Sequence, residues 1–103
     1  MIPQHTDLTD EQIRSMVAKH FGVKPDDLTC KQRHQWRVQL RAALVYTLRK
    51  QWHWDWERLS QLINRDRATV KHLVEMMTIQ VNTQTNAIVV AMAQCLNSII
   101  TIH

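Results

Sequence analysis

Glycine occurs once in this 103-residue chain, at Gly22, and proline twice. Glycine supplies the left-handed backbone of tight turns and proline pre-sets turn geometry, so a chain nearly without them makes few turns. An all-β fold, which needs a turn every few residues, is thereby disfavoured. Long stretches consist of good helix formers instead. The expected class is all-α, a compact helical bundle of four or five helices. One modest core is expected, in a single domain over residues 1–103.

Charge is distributed unevenly. Residues 1–28 carry net −2, residues 29–75 net +6, and residues 76–103 no charged side chain, for a total of +4. Such asymmetry favours a polyanionic partner for the middle segment, although a merely solvated basic face has the same composition. Cys30 and Cys95 share no metal or redox spacing and read as reduced thiols, which suits a cytoplasmic location. The first residues show neither the basic start nor the apolar run of a signal peptide. No membrane span is expected: the apolar stretch from Ala87 to Ile102 is too short and is interrupted by Gln94, Asn97 and Ser98.

Thr9 followed by Gln12 fits a capping box, so a first helix is expected from there, with Ile13, Met16, Val17 and His20 at helical spacing. Gly22 ends it, and Phe21 and Val23 flank the break. Lys24 to Leu28 reads as a single helical turn, with Pro25 and two acids at its start. A long helix is predicted from Gln35 to Lys50, with Val38, Ala42, Leu44, Val45 and Leu48 as its apolar stripe. Gln51 to Trp56 alternates aromatic and polar residues and is read as a connection, with Asp55 as the cap of the next helix. Trp56, Leu59, Leu62 and Ile63 describe a short helix, and Asn64 is a plausible left-handed stop. A further helix begins at Asp66, with Val70, Leu73, Val74 and Met77 facing inward. A short helix, a tight turn and a second helix with an apolar inner face make a helix-turn-helix over about residues 55–77.

Three segments carry a resemblance to a known family. They are VAKHFGVKPDDL (17–28), CKQRHQWRVQLRAALVYTLRK (30–50) and Arg65-Asp66-Arg67-Ala68-Thr69-Val70-Lys71-His72. Over roughly residues 11–77 the chain resembles the C-terminal DNA-binding domain of the bacterial replication initiator DnaA. The resemblance implies a Trp-repressor-like helical fold that binds a short duplex element. In that family the recognition helix enters the major groove, and a basic loop before the long helix reaches the minor groove. Carried over by position, Asp66, Arg67, Ala68 and Thr69 would face bases, and Lys31 and Arg33 lie in the region of the basic loop. The chain departs from the family at Ile63-Asn64, where two glycines are usual and the turn is one residue longer. It departs again at Arg67 and Ala68, which replace a histidine and a threonine. No phosphate-cradling glycine loop occurs in the chain, so activity without a nucleotide-driven motor is expected.

Each candidate has a plainer role beside the functional one. A cation in the first turn of a helix opposes its dipole. Arg67 is therefore explained by a guanine edge in the major groove, or by an ion pair with Asp66 or Glu57. Asp66 serves most simply as a helix N-cap, with a base contact second. Lys31, Arg33, Arg37, Arg65 and Lys71 are candidates for phosphate or minor-groove contact. Lys31, Arg33 and Arg37 would equally make a solvated polar face, and Lys71 could pair with Glu75. The tryptophans read as core or loop anchors before base-stacking platforms. Cys30, His34 and His53 lack zinc-site spacing, and no catalytic set stands out, so neither metal, cofactor nor enzymatic activity is expected. The helix expected over about residues 86–101 is apolar round most of its circumference, which suits either a last core helix or a homodimer interface. The expected function is binding of double-stranded DNA, in regulation or replication. The alternative is a protein-interaction module on a helix-turn-helix scaffold that has lost DNA binding.

Overall fold

The structure, a computed structural model, describes residues 8–29, 34–83 and 86–101. Five helices follow one another: α1 (Asp10–Phe21), α2 (Gln35–Trp52), α3 (Trp56–Ile63), α4 (Arg67–Thr83) and α5 (Ala87–Leu96). A 3-10 turn (Pro25–Leu28) lies between α1 and α2, and a π-type turn (Asn97–Thr101) continues α5. Among the described residues there is no strand.

Side chains explain most of the element boundaries. The Thr9 hydroxyl accepts from the Gln12 amide at 3.1 Å, and the Thr9 amide donates to the Gln12 side chain at 2.9 Å, closing the capping box of α1. Gly22 (φ 70°) stops α1 in the left-handed region, and the Val23 amide returns to the Ala18 carbonyl at 2.9 Å. The Asp55 carboxylate caps α3 by accepting from the Arg58 amide at 2.8 Å.

The first correction concerns α2. It runs two residues further than expected, to Trp52, so the connection to α3 shrinks to His53, Trp54 and Asp55. It also has no single buried stripe. Leu40, Ala42, Ala43, Leu44, Val45 and Leu48 are all buried, with Arg41, Thr47 and Trp52, whereas Val38 is only partly covered. The reason is position: α2 is the central helix, with α4 and α5 packed along it and the 3-10 turn and α3 touching it as well. At about 1.5 Å per residue its 18 residues span nearly the whole molecule, whose largest extent is 32 Å.

The periphery brings smaller corrections. In α1, Met16 and His20 are exposed and Ala18 is buried in their place beside Ile13 and Val17. The C-terminal helix does not stay regular to residue 101. It buries Met92, Cys95 and Leu96, and Ile99 and Ile100 follow in the wider turn. Its outer face, with Ala87, Val90 and Gln94, is exposed, so burial on every side is not realised within one chain. Burial raises the thiol pKa of Cys95.

Candidate nucleic-acid interface

The turn between α3 and α4 is built by backbone geometry. Asn64 (φ 55°) takes the left-handed position that ends α3, and the Arg65 amide donates back to the Ser60 carbonyl at 3.0 Å. This is the Schellman closure, with asparagine in glycine's usual place. Two residues later the Asp66 carboxylate accepts from the Thr69 amide at 2.7 Å and caps α4. Hydrogen bonds from the Thr69 side chain and amide hold its carboxyl below the usual carboxylate range. Asp66 is therefore occupied as a cap.

The inward stripe of α4 is as expected: Val70, Leu73, Val74 and Met77 are buried. Arg67, Ala68, Lys71, His72 and Glu75 are exposed, and Thr69 is half-buried. Arg67 Nε lies 3.8 Å from Glu57, with both side chains more than half exposed (67% and 62%). A pair this open is weak, so the guanidinium is held only loosely. Lys71 places its ammonium 5.7 Å from the centre of the Trp56 ring.

The arginines beside the helix-turn-helix are tied into the fold. Arg65 donates to the Thr29 carbonyl at 2.8 Å and the Asn64 carbonyl at 3.0 Å, joining the end of the 3-10 turn to the turn before α4. Arg37 pairs with Asp27 at 2.8 Å and lies over the Trp36 ring. Partial desolvation would raise the Asp27 pKa, but the Lys24 amide and the Arg37 guanidinium outweigh it and the net shift is downward. Arg41, not singled out by the sequence, is buried and donates to the Asp27 carbonyl at 3.1 Å. A groove between α2 and α4 is lined by Arg41, Arg65, Ala68, Thr69 and His72 together with Val38, Leu73 and Met76. Its signal in the sequence was Arg41 four residues after Arg37, which puts both on one side of α2. Lys31 and Arg33 lie outside the described residues.

The model of the family described as the bacterial dnaA protein helix-turn-helix matches residues 11–77, more than half of the chain. The chain belongs to this family. No curated protein and no solved structure matches it. The DnaA helix-turn-helix match runs from the first turn of α1 to Met77, the last of the four buried α4 residues named above, so the end of α4 and all of α5 lie beyond it. Among the described residues no group of three His, Cys, Asp or Glu side chains is placed to hold a metal ion, and no helix is long and apolar enough to cross a membrane.

Proposed function

We propose that the chain binds double-stranded DNA through α3 and α4, with the first two turns of α4 in the major groove. The family match over residues 11–77 carries this reading. The exposed first turn of α4 supports it. Arg67 would read a guanine edge, Ala68 and Thr69 would lie against bases, and Lys71 would meet a phosphate. Asp66 contributes by capping the helix that presents them. Lys31 and Arg33 supply the basic segment before α2. Arg37 and Arg65 belong to this reading as struts, since their guanidinium groups are tied to Asp27 and to the Thr29 and Asn64 carbonyls. The activity is binding without catalysis, on chromosomal DNA in the cytoplasm, in regulation or replication. A homodimer would use the outer face of α5, where Val90 is 51% exposed.

One observation favours the second reading, a protein-interaction module. Arg37 and Arg65 are engaged inside the fold and Arg67 has Glu57 beside it. Titration of labelled duplexes by fluorescence anisotropy at several salt concentrations separates the two. DNA binding predicts affinity that falls steeply with salt, because bound phosphates release counterions. Lys31→Ala with Arg33→Ala should lower the salt slope by about 1 for each phosphate no longer neutralised. Absence of binding to any duplex at low salt would leave the interaction module as the better reading.

A further inference from the structure

Trp56 opens α3, half-buried between the end of α2 and the outer side of α4. Two cations from two different helices share its ring. The Arg49 guanidinium lies 4.3 Å from the ring centre and the Lys71 ammonium 5.7 Å. Arg49 also donates to the Trp54 carbonyl at 2.9 Å, so it has a second anchor. Lys71 has none: among the described residues it makes no ion pair with Glu75, although both line one shallow hollow with Trp56, Lys50 and Ile79.

An indole face carries negative charge density and attracts a cation within about 6 Å of its centre. A lysine on a bare helix surface samples many rotamers and loses that freedom when it grips a phosphate. A lysine already drawn to a fixed ring loses less.

We propose that Trp56 is a positioning residue for DNA binding: its indole holds the Lys71 ammonium beside the second turn of α4, so the phosphate meets a cation already in place. This rests on the DNA-binding reading above. Trp56 itself touches no base or phosphate; it acts through Lys71. It also links the two helices of the motif, because the residue that opens α3 fixes a side chain of α4.

A double-mutant cycle on duplex affinity tests this, using Trp56→Leu, Trp56→Phe, Lys71→Ala and the Trp56→Leu/Lys71→Ala pair, with folding followed by circular dichroism. Trp56→Leu should weaken binding about fivefold, and Lys71→Ala added to it should cost less than about twofold more. Trp56→Phe keeps an aromatic face and should stay within about twofold of the parent. A ring that only supports the fold would give losses that multiply in the double variant, and that result overturns the inference while leaving DNA binding intact. A parent chain that binds no duplex removes both. Should Trp56→Leu not fold, proton NMR of the unmodified chain decides. The Lys71 ε-methylene protons should lie upfield under the indole ring current, and random-coil positions would sink the proposal.

Discussion

Arg67 occupies the first position of α4, where the helix dipole disfavours a cation by about 0.3–1 kcal/mol. Glu57 at 3.8 Å at most cancels this, because an exposed pair contributes about 0–1 kcal/mol. Arg67→Ala should therefore melt at or slightly above the parent temperature, while specific DNA affinity falls by roughly 1–3 kcal/mol and preference relaxes at one base pair. Unchanged binding to every duplex would remove Arg67 from the interface. Asp66, one residue before, yields a pH prediction. Its pKa in the folded chain is depressed by Thr69, so the unfolded chain takes up the proton first as pH falls. The stability it contributes is complete above the ordinary carboxylate pKa of about 3.9 and is lost as pH drops through the lower folded value. Asp66→Asn should flatten that part of the melting-temperature curve against pH below about 4. An unaltered curve would mean that the cap does not titrate with folding.

At the scale of elements, the turn between α3 and α4 decides how α4 is presented. Asn64 holds φ 55° without the freedom of glycine, and asparagine tolerates this better than alanine does. Asn64→Ala should cost about 1 kcal/mol, a fall of roughly 4–8 °C in melting temperature for a domain of this size. Asn64→Gly should match or exceed the parent. Equal melting of the two variants would show that the left-handed position is not what limits this turn. The capping box at Thr9 and Gln12, the stop at Gly22 and the caps at Asp55 and Asp66 were all legible in the sequence, because each depends on residues within five positions of one another. The end of α2 was not. Trp52 is buried against the core, and that packing extends the helix through a stretch whose alternating pattern suggested a connection.

For the whole molecule, α5 is the piece beyond the family match on which the core nevertheless depends. It packs on α2 and α1 and, with the turn after it, buries Met92, Cys95, Leu96, Ile99 and Ile100. Each such side chain contributes on the order of 1.5–3 kcal/mol, and a domain of this size is stable by only about 5–15 kcal/mol. Truncation after Asn82 should abolish the cooperative thermal transition or cause aggregation. A truncated chain that melts cooperatively as a monomer would show that the core closes without α5. Sedimentation of the full chain over a range of concentrations tests the outer face carrying Val90 as a dimer contact.

By itself the sequence determined the helical class, the order of the helices, their caps, the inward stripe of α4 and the resemblance to the DnaA helix-turn-helix. All of these follow from short-range spacing or from a local motif. The tertiary structure alone decided which elements enclose α2; the run from Leu40 to Leu48, apolar on several sides, marks the helix as enclosed but does not say by what. It also decided which cations remain at the surface. Arg37, Arg41 and Arg65 look as available in the sequence as Arg67 and Lys71. Their partners, Asp27 and the carbonyls of Asp27, Thr29 and Asn64, are brought to them mostly from 10 to 36 residues away. A charge is free or engaged according to what the fold sets beside it, and for these arginines that is settled by the meeting of the 3-10 turn with α2 and with the turn before α4.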